Sequence, residues 1–351
     1  MPRPWDAAGS GKLREGPSAI SPAAASRLGA DLMAQVVGPL GPRRRIATTL
    51  KRWRDESGQS LNDVFEATLI STSKLSRLEN AEGKPQLRDI RDLIRHFGHE
   101  GTPLAEQLVR WVKAAEASGW WTDYNEDVLQ ARLRLDTHLA YEEDAKVERV
   151  YTLPFVPVLL QTDAYAEAYY RDMEHRPEDQ LVSLMDIRRK RKNALKEREG
   201  RDPLTLVAVA HECTLRQVVG SPRVLRDQLD DLLVRSHEEN VILRIFPFSA
   251  RPVFTMVCMY AYFEYDDPDN LQQDLVQIET QAGFLTIEDP GRVTEYRKAH
   301  DNLIAASLSL EDSRALIRSV RDSLPLSLSR LPPFGRFCLR GRGSYGKAID
   351  V

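Results

Sequence analysis

Residues 60–80, SLNDVFEATLISTSKLSRLEN, decide how the first third of the chain is read. Leu61, Val64 and Phe65 are spaced for the buried face of one short helix, and Leu75 and Leu78 for that of a second. A tight turn between them is expected near Leu69. Around Leu75 and Leu78 the second helix leaves Thr72, Ser73, Lys74, Ser76 and Arg77 outward. A helix with an apolar back and a hydroxyl-rich, basic front fits a DNA major groove, its short polar groups reaching base edges.

Helices extend outward from this pair. Ile46, Leu50 and Trp53 predict a helix over 46–57 stopped by Gly58. The central pair covers 61–68 and 72–80, with Ser71 as N-cap of the second. Leu87, Ile90, Leu93, Ile94 and Phe97 share one face of a helix over 85–97 that ends at Gly98. A fifth, over 102–118, starts with Thr102 and Pro103. The 351-residue chain carries a net charge of −3, yet residues 43–97 hold twelve basic and eight acidic side chains. A basic module on an acidic body suits DNA binding.

Beyond Val128 the pattern becomes mixed. Strands are expected over 204–210, 241–246, 254–265, 275–279 and 284–287. Helices are expected over 162–172, 177–197, 222–239, 290–308 and 311–323. The fold class is therefore multidomain: an all-α five-helix domain followed by a mixed α/β (α+β) domain. The expected division is a disordered tail over 1–42 with a short helix near 23–37, a helix-turn-helix domain over 43–98 and a linker helix over 99–124. A C-terminal domain over 125–324 and a disordered basic tail over 325–351 follow. Three dispersed cysteines, Cys213, Cys258 and Cys338, form no disulfide framework or metal spacing. With no leader pattern and no apolar run near the ~20 residues of a membrane helix, a cytoplasmic protein is expected, without membrane contact.

Residues 45–98 resemble the Cro/repressor-type, or Xre, helix-turn-helix family. The resemblance rests on the run Ser71, Thr72, Ser73, Lys74, Leu75, Ser76, Arg77, Leu78, Glu79, Asn80, with Pro85 opening the next helix. It implies that Thr72, Ser73 and Arg77 touch bases, with Ser71, Lys74 and Ser76 nearby or on phosphates and Lys84 among the DNA contacts. It also implies an ion pair between Arg54 and Glu79. Phe65, where a small residue is usual, and Leu69, where glycine is frequent, depart from the pattern.

Residues 119–323 resemble the C-terminal domain of unknown function of WhiJ-like actinobacterial regulators. The tokens include Gly119, Trp120 and Trp121; Val156 through Thr162 with Tyr165; Arg188 through Arg191; Asn240 through Ser249; Glu279; and Tyr296. Val158 replaces a usual glycine and Gln277 a frequent tyrosine. Together the two resemblances imply a dimeric regulator of transcription that binds double-stranded operator DNA. The C-terminal domain would sense a small ligand or a partner, through Pro157, Gln161, Glu279 and Tyr296. The rival reading is an antitoxin-like module holding a small companion protein.

No catalytic residue, cofactor or metal site is expected. His211, Glu212 and Cys213 begin a zinc-protease motif, but Leu215 stands where its second histidine belongs. Residues 341–347 fit a phosphate-loop spacing but leave no room for the helix that would follow. The basic run from Arg188 to Lys192 reads mainly as a solvated helix face, with Ile187, Ala194 and Leu195 packing inward. Trp120 and Trp121 are read as packing the linker on the second domain.

Overall fold

The computed structural model describes residues 40–129, 135–198, 201–253, 258–265, 271–280 and 283–325. The expected tail over 1–39 with its short helix, the tail over 326–351 with the 341–347 motif, and the strand start at 254–257 lie outside these residues.

Five helices build the first domain: α1 (Leu40–Glu56), α2 (Leu61–Thr68), α3 (Thr72–Glu79), α4 (Leu87–His96) and α5 (Pro103–Glu116). Local chemistry fixes their ends. Ser60 and Asp63 form a reciprocal capping box on α2, Ser71 caps α3, and Thr102 caps α5 with Pro103 in its first turn. Ile46, Leu50, Trp53, Val64, Ile70, Leu75, Leu78, Ile90, Leu93 and Ile94 form one core. Ala105, Leu108 and Val112 of α5 belong to that core, so the expected linker helix is part of the domain.

Two further expectations fail here. Phe65 is not on the buried face but 37% exposed; α2 packs on the core through the buried Val64 and the half-buried Leu61. Leu40, Gly41 and Pro42, assigned to a disordered tail, form the buried start of α1.

After a short helical turn, α6 (Glu126–Leu129), and α7 (Leu135–Asp144), the chain enters a six-stranded sheet. Its strands are β1 (Val147–Thr152), β2 (Thr205–His211), β3 (Val241–Phe246), β4 (Tyr260–Glu264), β5 (Leu275–Thr280) and β6 (Gly283–Ile287), in the order β3-β2-β1-β4-β5-β6. β1, β2 and β3 are parallel, and β4, β5 and β6 continue antiparallel from β1. Helices α8 (Asp163–Ala168), α9 (Glu178–Asn193), α10 (Cys213–Arg216), α11 (Pro222–Arg235), α12 (Pro290–Ala306) and α13 (Leu310–Ser323) complete the domain.

Alternation along the strands separates two cores. Leu206, Ala208, Leu243, Ile245 and Phe263 pack with Leu225 and Leu229 of α11 and Ile317 of α13. Tyr151, Val209, Phe246, Tyr260 and Tyr262 pack with Val293 and Leu303 of α12. Trp121 is fully buried, and a Cβ on Gly119 would fall 2.3 Å from its ring, so this close approach requires glycine. Trp120 donates to Glu143 at 3.1 Å.

The two domains meet at the start of α1. The Gly41 amide donates to Asp144 Oδ2 at 2.7 Å. The Arg44 guanidinium donates to the Gln273 carbonyl, pairs with Glu288 at 3.2 Å, and lies over the rings of Tyr141 and Tyr265.

Candidate DNA-reading helix and candidate ligand cavity

In α3 the buried pair Leu75 and Leu78 faces the core, while Ser71, Thr72, Ser73 and Arg77 are exposed. Lys84, in the loop before α4, is exposed as well. Ser76 is half-buried and accepts a long bond from Asn80 at 3.5 Å. The Ser71 hydroxyl is occupied as a cap, accepting from the Lys74 amide at 3.3 Å. Lys74 is engaged too, its ammonium 2.5 Å from Asp89 of α4. Arg77 has no ion pair among the described residues, which leaves its planar fork available to a base edge.

The orientation of α3 is set by two features. Arg54 grips Glu79 through two parallel bonds of 2.7 and 2.9 Å, with both side chains mostly buried. The turn before α3 places Leu69 at φ 63°, the left-handed region that disfavours a branched side chain. Leu69 takes it while 81% exposed. Phe65 and Leu69 thus add apolar surface to the chain just before α3.

In the second domain a cavity of about 150 Å³ lies against the sheet face that carries Glu148, Val150, Ala261 and Gln277. Three of the four residues expected at a ligand or partner site, Pro157, Gln161 and Glu279, line it. Tyr296 does not: on α12 it packs edge-on against Tyr260, 5.4 Å between rings, in the second core.

The basic run on α9 also differs from expectation. Arg189 and Lys192 pair with Asp163, and Lys190 lies over the rings of Trp120 and Tyr124. Arg188 and Arg191, however, are buried and line the cavity. Their spacing of three puts them on one helix face, inward of the solvated positions.

Arg191 anchors a buried polar chain. It holds Glu142 of α7 through bonds of 2.9 and 2.6 Å and also donates to His138 Nε2 at 2.8 Å. Because a guanidinium only donates, His138 accepts at Nε2 and carries its proton at Nδ1. That proton goes to Gln277 Oε1 at 2.8 Å, and Gln277 donates on to Thr286 at 3.2 Å. Burial raises the Glu142 carboxyl, but the charge and the hydrogen bonds of Arg191 outweigh it and hold the group well below the ordinary range. Glu148 is driven the other way, upward, by burial and by the charge of Glu142, against a smaller pull from Arg191. His138, Glu142 and Glu148 bring three metal-type ligand atoms within 4.8 Å of one another. Arg191 supplies a cation at Glu142 and His138, whereas Glu148 has no ion pair among the described residues.

Sequence reasoning missed β1, α7 and hence His138, Glu142 and Glu148. The segment VERVYT interrupts its apolar residues with charge, and α7 buries Asp136, His138 and Glu142, which blurs any apolar stripe. The replacement of a frequent tyrosine by Gln277 was the one available signal.

His211, Glu212 and Cys213 close β2 and open α10, where Glu212 accepts from Arg216 at 2.7 Å and from the Phe248 amide at 3.0 Å. No helix among the described residues is long and apolar enough to cross a membrane.

No curated protein and no solved structure matches the chain. Residues 45–107 match the family described as Helix-turn-helix domain, a DNA-binding type of domain that points to a regulator. Residues 135–319, more than half of the sequence, match the family described as Domain of unknown function (DUF5753), and the chain belongs to that family.

Proposed function

We propose that the protein is a sequence-specific transcriptional regulator with a non-catalytic sensor domain. A dimer presents two copies of α3 to half-sites about 34 Å apart, the spacing of one DNA turn. Thr72, Ser73 and Arg77 read base edges, while Lys84 and Lys74 contact phosphates. The cavity of the second domain receives a small ligand, and α7 carries the effect to α1.

One observation carries this reading. A single helix, α7, places His138 and Glu142 in the polar chain beside the cavity and Tyr141 and Asp144 against Arg44 and Gly41 of α1. A ligand that moves Arg191 or His138 therefore acts on a helix that also holds the DNA-binding domain.

Selecting bound duplexes from a random library, followed by salt titration of the winners, tests the DNA half. Enrichment of a two-fold-related sequence with a steep salt slope is the expected result. On that sequence Arg77→Ala should cost ~1–3 kcal/mol and relax one position. Failure to enrich any sequence, or equal losses on selected and random DNA, overturns the assignment.

A further inference from the structure

The chemistry of the cavity narrows the ligand, and this step rests on the sensor reading above. Arg188 is only 7% exposed, yet among the described residues it has no carboxylate within ion-pair distance. Its Nε donates to the Tyr170 hydroxyl at 2.8 Å, its Nη1 donates to the Gln161 side-chain carbonyl, and the rings of Tyr169 and Tyr170 flank it. Those partners are all neutral. The other cations of the cavity are matched: Arg191 by Glu142 and Arg176 by Glu174 at 2.7 Å. A buried guanidinium with no carboxylate in contact is costly, and an anion entering beside it recovers that cost. Nη2 of Arg188, which has no protein partner among the described residues, is the donor left for it.

The second observation is on the sheet wall of the cavity. Glu148 of β1 is 3% exposed, and its Oε2 has no hydrogen-bond partner. A buried orphan of this kind calls for a group that the protein itself does not provide. Burial and the neighbouring Glu142 favour its protonated form, so it offers an O–H to an incoming oxygen. The lining also carries apolar and aromatic side chains, among them Leu129, Val150, Phe155 and Phe284. One water occupies ~10–15 Å³ of such space, so 150 Å³ suits a ligand of about ten non-hydrogen atoms.

We propose that the cavity binds a small carboxylic acid with an apolar body, its carboxylate paired with Arg188 and an oxygen accepting from Glu148. An amine would bring a like charge to Arg188, and a bare hydrocarbon would leave both polar groups unmatched.

The test uses the full chain and three matched probe sets: monocarboxylates of six to twelve non-hydrogen atoms that carry a second oxygen, 4-hydroxyphenylacetate among them, and their amides and amines. Thermal shift and calorimetry should detect carboxylates only. Arg188→Gln should abolish the response, and Glu148→Gln should weaken it about tenfold. Arg189→Gln, on the solvent side of the same helix, should leave it intact. If Arg188→Gln does not fold, Arg188→Lys keeps the charge without the two-donor fork and should still lose at least tenfold. Carboxylates that bind independently of Arg188, or no carboxylate response at all, would overturn the proposal. Binding of amides or amines that is blocked by Ala261→Phe would overturn the carboxylate class but leave the sensor reading standing. No probe binding, together with unchanged operator affinity in Ala261→Phe, would overturn the sensor reading itself.

Discussion

Lys74 illustrates how a single residue can look available in sequence and be engaged in the fold. Its ammonium faces Asp89, so a phosphate must either displace that carboxylate or share the cation with it. Asp89→Asn should therefore strengthen binding to all DNA alike, by less than ~1 kcal/mol, because the pair is partly exposed. Equal affinities for both proteins at low salt would show that Lys74 does not approach the backbone. Glu148 sets up an opposite kind of test, one of pH. Its folded-state value lies above that of the unfolded chain. Below the ordinary carboxylate range both states are protonated and nothing is lost. As pH rises the unfolded chain releases the proton and the folded protein keeps it, so stability falls until the folded value is passed. Relative to Glu148→Gln, the wild type should lose up to ~1.4 kcal/mol per pH unit across that window. Chemical denaturation at a series of pH values measures it, and parallel curves would mean that Glu148 is not held neutral.

At the scale of elements, what the sequence revealed tracks how each element buries itself. The helices of the first domain were legible because each has one apolar face, and three of them have a side-chain cap, from Ser60, Ser71 and Thr102. β2, an interior parallel strand, was legible as a continuous apolar run, and β3, at the parallel edge, as an apolar run broken only by Arg244. β1 lies at the centre of the sheet and was not legible, because Glu148 occupies a buried position and Arg149 pairs with Glu264. α7 was hidden for the same reason: its buried residues include Asp136, His138 and Glu142, and the last two are satisfied by Arg191 and Gln277, remote in sequence. Three residues of the cavity were found from family tokens; Arg188 and Arg191 were tokens too but were read on a solvated face, and His138 and Glu148 were not found. The joint between α7 and α1 depends on a residue without a side chain. A Cβ on Gly41 would sit 2.6 Å from Asp144 Oδ2, and Asp144 is held in place by Arg201 at 2.9 Å. Gly41→Ala should cost ~1–3 kcal/mol through overpacking. Amide exchange should quicken at the start of α1 and end of α7, while α3 and α4 keep their protection. Uniform exchange in the variant and wild type would refute the joint.

Over the whole molecule, α1 belongs to two cores at once. Its middle, Ile46, Leu50 and Trp53, completes the DNA-binding domain, while Leu40, Gly41 and Arg44 are buried at the contact with the second domain. A helix propagates order along its length, so melting either end exposes the other. The contact between the domains is also charged and aromatic: Arg44 meets Glu288, Tyr141 and Tyr265 together, an arrangement that one lost partner would leave with a buried cation. The two domains should therefore unfold as one cooperative unit, in contrast to the independent melting expected when a flexible linker joins them. The division has a defined place to fail. A chain beginning at residue 46 retains every side chain of the first core, from Ile46 to Val112, and loses only the clamp. Scanning calorimetry should give one transition for the intact chain and two for the shortened one, with the DNA-binding domain melting first because its core is the smaller. Two transitions in the intact chain, or one in the shortened chain, would mean that the start of α1 does not couple the domains.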